Sequence, residues 1–438
     1  MGRMRHGAPH GPPDGGTGPP VPPGPRSPWS SRARWDRRGR RREPAGHAAV
    51  TVVFLVQGLL FASWVAHIPH VQQHLHLGDG ALGVALLGAP VGSVLAMLAA
   101  AVLLPRHGSR AVVRGALAGY CAAGPLVGLA GAPVALFAAL LVWGAFQGGL
   151  DVAMNTQAIT VERQARRPLM PGFHGAWSVG SLAGAALGTL GVAAGISLSV
   201  QLLALATPCA AVAGWLTAGM LPDARRAPAA APAPAPRAAP AAPARPLPVP
   251  RPQLAILALG AIALADMLCE GAAADWSAVY LRNSLHTGAA VAGLGYATYS
   301  LAMVAVRLSG NRLLARFPAR RLLPAFAGIA TAGLALGLAV GEPIAALAGF
   351  ACLGAGLAAV VPTVFGAAGR VPGLHGGTAV ALVSAFGWVG FVCGPPLIGQ
   401  LAAATSLRWA LAVVPVLTAS IAAATAWSRN LGPAPADR

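Results

Sequence analysis

Three carboxylate side chains interrupt the apolar stretch 253–281, where an ionised group is costly and uncommon. Asp266 and Glu270 stand one helical turn apart, and Asp275 and Trp276 follow them. Two carboxyl groups one turn apart raise each other's proton affinity, and a low dielectric adds to this effect. We therefore interpret Glu270, and after it Asp266, as a group that binds and releases a proton inside the apolar region. Asp275 and Trp276 lie nearer the end of the stretch, where a gate or a helix-end contact is expected.

A second set of polar residues lies between residues 147 and 188. Asp151, Asn155 and Glu162 fall at positions i, i+4 and i+11, which share one face of a helix. Asp151 and Asn155 are candidates for a solute or proton pathway, and the alternative for Asp151 is a buried structural pair with a loop arginine. Glu162 stands beside Arg163, and we expect it to form a structural ion pair in the loop.

The apolar stretch that follows places His174, Trp177, Ser178 and Ser181 on one helical face. The charge of a histidine changes near neutral pH, so His174 is either a pathway or gate group or a structural hydrogen-bonding residue. We assign Trp177 to the same pathway.

Glycines recur at every fourth residue of this stretch, at Gly180, Gly184 and Gly188. Small residues at this spacing let two helices approach closely. We therefore predict that these glycines are packing residues.

Further candidates lie in other apolar stretches. Gln57 and Trp388 are expected to line the pathway, because amide and indole groups bind hydroxylated solutes by hydrogen bonding and stacking. For Trp64 we prefer an anchor at the membrane interface. Arg307 either pairs with a membrane carboxylate or extends its guanidinium to the water phase.

The composition explains why these residues are unusual. The chain has 438 residues, 55% of them hydrophobic, and a mean hydropathy of +0.63. Apolar runs of about 20 residues, each enough to cross a bilayer, recur along it, and they are continuous rather than alternating. The sequence therefore predicts an all-α membrane protein rather than a barrel. The twelve predicted spans are 48–68, 81–104, 111–130, 133–160, 172–195, 198–221, 253–281, 289–311, 321–340, 343–369, 376–401 and 406–427.

Arginine placement predicts the orientation. With the N-terminus in the cytoplasm, sixteen arginines fall in the loops and linker on that side, and only Arg282 and Arg408 fall in the opposite loops. Such a bias marks the cytoplasmic side. We expect a multi-pass protein of the inner membrane with both termini cytoplasmic. The net charge of +19 is then explained by topology and anionic lipid rather than by nucleic acid.

The domain boundaries follow from changes in composition. Residues 1–46 are rich in Pro, Gly and Arg and are predicted to be a disordered cytoplasmic tail. Residues 47–221 and 252–428 form two six-helix halves, and residues 222–251 are an extended Pro/Ala/Arg linker between them. Residues 429–438 form a second cytoplasmic tail.

The chain lacks the motifs of an enzyme. The sequence shows no nucleophile–base pair, no phosphate-cradling loop and no metal-ligand spacing, and its five cysteines lie in apolar spans as small buried side chains. We expect neither a cofactor nor a metal, and a monomer as the working form.

An internal repeat relates the two halves at an offset of about 210 residues. The segment LHLGDGALG at 75–83 matches LHTGAAVAG at 285–293, and LLPRHGSR at 103–110 matches LLARFPAR at 313–320. WSVGSLAG at 177–184 likewise matches GWVGFVCG. Two repeated halves predict a substrate site between them, near the middle of the bilayer.

The spans, the repeat and the basic loop after the second span resemble the major facilitator superfamily. The loop motif of that family is roughly G-x-L-x-D-R-x-G-R-R, and here it reads AVLLPRHGSR at 101–110, with Ala and Pro in place of Gly and Asp. Its second copy reads NRLLARFPAR at 311–320. The resemblance implies gate or structural roles for the matching residues Arg106, Arg110, Arg316 and Arg320.

A narrower resemblance is carried by two segments. DVAMNTQAITVE with PGFHGAWSVGSLAGAALG, and EGAAADWSAVYLR at 270–282, are similar to the MosC/YbjJ-type bacterial permeases, near the fucose-permease branch. The resemblance implies a permease for a small polar or sugar-like solute, coupled to protons.

Our expectation is a secondary transporter working by alternating access, with a small-molecule solute and protons as its partners. One alternative is proton-driven efflux of amphiphilic compounds. Ala185 weakens it, because drug/proton antiporters carry a proline at this point of a G-x-x-x-G-P motif. The other alternative is a transport-inactive membrane sensor or scaffold.

Overall fold

The computed structural model describes Gly2 and residues 28–167, 169–222, 252–316, 319–374 and 376–427. All regular structure in these residues is helical, because a backbone in lipid must satisfy its own hydrogen bonds. The first half contains α1 (Pro28–Val65), α2 (Ile68–His74), α3 (Asp79–Leu86), α4 (Gly88–His107), α5 (Ser109–Val127), α6 (Pro133–Ala165), α7 (Met170–Ala193) and α8 (Leu198–Leu216). The second half contains α9 (Pro252–Val279), α10 (Ala289–Arg316), α11 (Ala319–Val340), α12 (Pro343–Leu357), α13 (Val360–Ala368), α14 (Gly376–Ala404), α15 (Leu407–Leu411) and α16 (Val413–Trp427). A π-helical turn, Tyr280–Ser284, extends α9.

The predicted all-helical membrane fold is confirmed. Eleven stretches of the described residues are long and apolar enough to cross a membrane. The third predicted span lies on α5, which is also helical but carries Arg110 and Arg114 in its first two turns. Each of the twelve predicted spans therefore falls on one or two of the described helices.

The N-terminal tail differs from the prediction. Residues 28–46 were expected to be disordered, but α1 begins at Pro28. Proline suits the first turn of a helix, and the arginines that follow it have a high helix propensity. Met1–Arg41 and Arg42–Arg438 are separate compact units, and both predicted halves belong to the second. Residues 1, 3–27, 223–251 and 428–438 lie outside the described residues, so the remaining predictions for the tails and linker stay predictions.

The structure repeats its local features at the offset found in the sequence. His76 and His286, which are 210 residues apart, have φ angles of 51° and 52°. Positive φ is uncommon for residues other than glycine, so its recurrence at matched positions marks the same turn in both halves. Pro133 and Pro343, at the same separation, each open a helix.

Matching helix crossings show the same repeat. A Cβ atom on Gly144 would collide with the carbonyl of Ala89, and one on Gly354 would collide with the carbonyl of Tyr299. Gly144 and Gly354 are 210 residues apart, and so are Ala89 and Tyr299. The crossing of α4 with α6 in the first half is therefore repeated by the crossing of α10 with α12 in the second. The two halves thus share their internal packing as well as their sequence pattern.

The predicted glycine packing surface is confirmed on α7. Cβ atoms on Gly180 and Gly184 would collide with the carbonyls of Leu55 and Leu59 of α1. A Cβ atom on Gly188 would lie 2.7 Å from the Ser63 carbonyl oxygen, so the contact runs along three turns. We call this contact the α1–α7 seam. It places the polar face of α7 beside the second half of the chain.

The two ends of the bundle differ. We call the end with the α4–α5 and α6–α7 connections the basic end, and the opposite end, with the connections before α3 and α10, the closed end. At the closed end, Asn283 Nδ2 donates to Gln72 Oε1 at 2.9 Å, and Gln73 Nε2 donates to Asn283 Oδ1 at 3.2 Å. Gln72 Nε2 also donates to Asp79 Oδ1 at 2.8 Å. These four residues form an amide clasp that joins the two halves.

Replacing Asn283 with Ala is expected to favour opening of the closed end. The change removes two hydrogen bonds between the halves, each worth about 0.5–1.5 kcal/mol, so the ratio of open to closed protein should rise by roughly five- to 150-fold. Spin labels at His70 and Ser406 would measure the distance between the halves at this end. Asn155→Ala, which removes a hydrogen bond within α6 alone, is the control. An unchanged distance distribution for Asn283→Ala would show that the clasp does not hold the halves together.

Candidate translocation site

One arginine contacts three helices where the two halves meet. Arg307 of α10 lies 3.7 Å from Glu270 Oε1 of α9 through Nη2. Its Nη1 donates to Ser178 Oγ of α7 at 3.0 Å, and its Nε donates to the carbonyl of Ala358 at 3.3 Å. We call Arg307, Glu270 and Ser178 the Arg307 cluster. Of the two alternatives for Arg307, the structure shows the ion pair with a membrane carboxylate.

The Arg307 cluster is reachable and can separate. The side chains of Arg307 and Glu270 are 24% and 20% exposed. At 3.7 Å the contact is an ion pair without a direct hydrogen bond, and Glu270 Oε1 is buried. Arg307 and Glu270 both belong to the second half, so the hydrogen bond from Arg307 to Ser178 is the contact of the cluster that joins the halves.

Asp266 lies in a different environment from Glu270, although they are one turn apart. It is fully buried, and neither of its carboxyl oxygens has a hydrogen-bond partner among the described residues. The charges of Glu270 and Arg307 both act on it. An ionised and unpaired carboxylate is costly in such a place, whereas Glu270 has a cation beside it. Glu270 is therefore the member of the pair that is partly exposed and faces the arginine.

Four aromatic rings form a row beside the cluster. Phe61 of α1 lies between Trp177 of α7 and Tyr296 of α10, with ring centroids 6.3 Å from each. Tyr296 stacks on Tyr299 at 5.5 Å, and the Tyr299 hydroxyl lies beside Glu270. We call Trp177, Phe61, Tyr296 and Tyr299 the aromatic row. It draws its rings from both halves of the chain.

The aromatic row also carries polar groups. Ser181 Oγ donates to the Tyr296 hydroxyl at 3.4 Å, across the boundary between the halves. The hydroxyl groups of Tyr299 and Ser300 are buried. The Tyr299 hydroxyl lies beside Glu270 and the Ser300 hydroxyl lies beside that of Tyr296, so the polar groups of the row are close to one another.

His174 and Trp177 occupy the same face of α7, as predicted. His174 is exposed, and its ring meets the ring of Phe54 edge-on with centroids 5.3 Å apart. It lies one turn closer to the basic end than Ser178, whose hydroxyl donates to the His174 carbonyl. The histidine is therefore accessible to solvent between the cluster and the basic end.

Other predicted pathway residues have partners elsewhere. Asn155 Nδ2 donates to the Asp151 carbonyl at 2.8 Å and to its carboxyl oxygen at 3.3 Å, within α6. Gln57 is almost fully buried and donates to the Gln147 carbonyl at 3.2 Å. Gln57 thus ties α1 to α6 instead of lining open space. The hydrogen bonds that these residues form within the described part of the chain do not reach the Arg307 cluster.

Glu162 has a structural position. Its Oε2 accepts hydrogen bonds from the backbone N–H groups of Leu169 and Met170, at 2.7 and 2.8 Å. These N–H groups open α7 and would otherwise lack partners within the helix. The carboxylate therefore fixes the start of the helix that carries His174 and Ser178.

The tryptophans and Asp275 occupy varied surroundings. Trp64 is almost fully buried, so the preference for an interfacial anchor was wrong; the helices around α1 leave it no lipid-facing surface. Trp276 is buried, and Asp275 beside it is half-buried in α9. Trp388 is half-buried and packs on Phe391 with ring centroids 5.6 Å apart.

The four loop arginines lie toward the basic end. Arg106 is exposed and Arg110 is half-buried, at the connection between α4 and α5. Arg316 ends α10 and Arg320 lies in the first turn of α11, but their side chains lie outside the described residues. A gate role for these four stays a prediction.

Two residues of the site were missed in the sequence. Tyr296 and Tyr299 are two of only four tyrosines in the chain, and with Ser300, Met303 and Arg307 they follow the i, i+3, i+4 spacing of one helical face. That spacing was the available signal. It places Arg307 on the same face as both tyrosines.

A buried network supports the closed end. His67 Nε2 lies 2.8 Å from Gln201 Oε1, and Gln201 Nε2 donates to Ser63 Oγ at 2.7 Å. His67 follows the first membrane span, and burial lowers its pKa, with a smaller lowering from His70 and an opposing effect of Gln201. The neutral imidazole therefore fits this network.

Because the pKa of His67 is lower in the folded state, the unfolded chain binds this proton first as the pH falls. The contribution of His67 to stability is thus present above about pH 6.5, the ordinary histidine value, and decreases below it. We expect His67→Gln to flatten the decrease in melting temperature between pH 7 and pH 5, measured by differential scanning fluorimetry. His74→Gln, at an exposed site of the same end, should leave the wild-type slope. Equal slopes for wild type and His67→Gln would contradict this assignment.

Comparison with known proteins places the chain in a family. The model of the Major Facilitator Superfamily matches residues 259–438. An uncharacterized MFS-type transporter of Yersinia pestis is 33% identical over 372 residues, 85% of this chain and 93% of the relative. The membrane protein MosC of Rhizobium meliloti is 30% identical over 404 residues, 91% of this chain and 95% of MosC. The chain belongs to the major facilitator superfamily, and it is a transporter rather than an enzyme.

Solved structures agree on the fold. A structure of the nucleoside transporter NupG superposes with a TM-score of 0.65 at 11% identity, covering 87% of this chain and 98% of NupG. The D-xylose-proton symporter superposes with a TM-score of 0.65 at 13% identity, covering 86% of this chain and 96% of the symporter. At these identities the similarity shows the shared fold.

Proposed function

We propose that this transporter moves a small, polar, sugar-like solute together with protons, by alternating access, as a symporter. The observation that carries the proposal is the Arg307 cluster. One arginine binds a carboxylate of the second half and a hydroxyl of the first, beside aromatic rings from both halves. Because of these contacts, the position of the Arg307 guanidinium depends on the protonation of Glu270, on a bound solute and on the arrangement of the two halves.

Alternating access follows from where the halves touch. The amide clasp joins them at the closed end, and Arg307, Ser178, Tyr296 and Ser181 join them further toward the basic end. Opening of the closed end must break the clasp. In repeat-built transporters the halves rock about a site between them, which is where the Arg307 cluster and the aromatic row lie.

Proton coupling follows from the ion pair. When Glu270 is ionised, it attracts the Arg307 guanidinium at 3.7 Å. Protonation of Glu270 removes the charge and with it the attraction, so Arg307 is released to donate to a solute. Solute and proton then favour the same state of the protein, which is the requirement for coupling.

The solute class follows from the aromatic row. Aromatic faces stack on the apolar face of a sugar ring, while tyrosine, serine and arginine groups donate to its hydroxyls. The buried hydroxyls of Tyr299 and Ser300 lie within such a set. The D-xylose-proton symporter and NupG share the fold, which is compatible with a hydroxylated solute.

We also propose that the basic end faces the cytoplasm, in the inner membrane, with both termini on that side and the monomer as the working unit. The described arginines at this end include Arg106, Arg163 and Arg370. At the closed end, Arg282 and Arg408 each donate to a backbone carbonyl. The excess of arginine at the basic end supports this orientation.

A thermal-stability screen tests the solute class. Purified full-length protein would be heated with pentoses, hexoses, cyclitols, nucleosides and amphiphilic drugs, since a ligand that binds the folded state raises the melting temperature. We expect stabilisation by one group of hydroxylated solutes, and uptake of the same solutes into proteoliposomes. Stabilisation by amphiphilic drugs alone would replace this proposal with efflux, and binding without uptake would point to a sensor.

A further inference from the structure

A second site lies outside the translocation pathway, at the basic end of the first half. A cavity of about 480 Å³ is lined by Arg106, Arg110, Arg114, His107 and Pro222. Gly108 forms the turn between α4 and α5 with a φ of 79°, which brings the end of one helix against the start of the next. The arginines of both helices therefore border one depression.

Within the part of the chain that the structure describes, no acidic side chain neutralises the charge of this cavity. None of the three arginines forms an ion pair or hydrogen bond with a described residue. Glu162, the acidic side chain described at this end, is occupied by the start of α7. Three guanidinium groups around one cavity favour an anion with several acceptor oxygens, such as a phosphate ester.

An apolar groove continues from this cavity. A second cavity of about 370 Å³ lies between α5 and α8, and Arg114 lines both. Its other lining residues are Gly115, Leu117, Ala118, Ala210, Gly214 and Thr217. Cβ atoms on Gly115 and Gly214 would meet nothing within 4 Å, so the groove owes its width to these glycines.

The surroundings lie at the boundary of the membrane. Leu98 and Val102, on the same face of α4 as Arg106, are 68% and 50% exposed. Trp215 beside Gly214 is 76% exposed, and tryptophans prefer the level of the lipid headgroups. A basic cavity that opens into an apolar groove at this level matches a molecule with an anionic head and a hydrocarbon tail.

We propose that this surface binds an anionic phospholipid. The headgroup phosphate occupies the cavity between Arg106, Arg110 and Arg114, and an acyl chain lies in the groove between α5 and α8. Basic pockets between membrane helices are suited to such headgroups. A free phosphate ion shares the headgroup chemistry but leaves the groove empty.

Native mass spectrometry of the purified full-length protein tests this site. Wild type would be incubated with phosphatidylglycerol, cardiolipin or phosphatidylcholine, and the retained lipid measured with and without inorganic phosphate. Arg106→Gln/Arg110→Gln/Arg114→Gln should lose anionic lipid by roughly fivefold for each arginine. The control Arg163→Gln/Arg321→Gln/Arg370→Gln removes the same charge elsewhere and should retain most of it.

A second variant tests the groove without changing charge. Gly115→Leu/Gly214→Leu fills open space, suits a helix, and should lower retention of anionic lipid severalfold. If the arginine variant does not fold, this variant still tests whether the groove binds the lipid. Three results would overturn the proposal. The two arginine variants could lose anionic lipid equally, wild type could retain phosphatidylcholine as well as the anionic lipids, or inorganic phosphate could displace all of the bound lipid.

Discussion

Replacing Glu270 with Gln should abolish solute-driven proton movement while solute exchange continues. The amide has nearly the same shape but cannot release a proton, and it loses the attraction to Arg307 at 3.7 Å. We expect the coupled proton flux in proteoliposomes to fall by at least about 100-fold, the lower part of what a positioned proton carrier contributes. Exchange of labelled for unlabelled solute needs no net proton movement and should stay within a fewfold of wild type.

The control for this substitution is Glu342→Gln. Glu342 is exposed at the closed end, before α12, and is not one of the Arg307 cluster residues. It should retain the wild-type proton flux. If Glu270→Gln also retained that flux, the proton would travel by another group, and Asp266, one turn away, would be the next candidate.

Replacing Gly184 with Val should prevent the first half from forming its native packing. A Cβ atom there collides with the carbonyl of Leu59, which is backbone and cannot rotate away. Forcing a branched side chain into the α1–α7 seam should lower the free energy of unfolding by about 3 kcal/mol or more. Loss of the monodisperse peak in size-exclusion chromatography and a lower melting temperature would report this effect.

Gly175→Val provides the matched control. Gly175 lies on the same helix, where an added Cβ atom meets nothing within 4 Å. The two variants make the same chemical change, so a difference between them measures the seam alone. Equal melting temperatures for both would mean that α1 and α7 do not pack as closely as described.

The architecture was predictable from the sequence because each level of the pattern repeats. Apolar runs indicated the spans, and the glycines at 180, 184 and 188 predicted a close helix contact, which the structure places against α1. The offset of 210 residues recurred in matched turns at His76 and His286. Such features depend on residues that are close in the chain or on a regular spacing between residues, and both are visible in the amino-acid sequence.

The site was only partly predictable because its contacts cross between helices. Glu270 and Arg307 were both singled out, but their pairing depends on how α9 and α10 pack. Gln57 was predicted to line the pathway because of its amide group, yet its direction around α1 turns it toward Gln147. The tail before residue 46 shows a different limit, since composition alone did not reveal the helix that begins at Pro28.

Proton coupling is tested most directly by the pH outside wild-type proteoliposomes when a stabilising solute is added without a pre-formed gradient. The external medium should become alkaline, because protons enter with the solute, and a protonophore should abolish the change. Solute uptake with no change in external pH would contradict it, since the Arg307 cluster would then bind solute without coupling it to a proton.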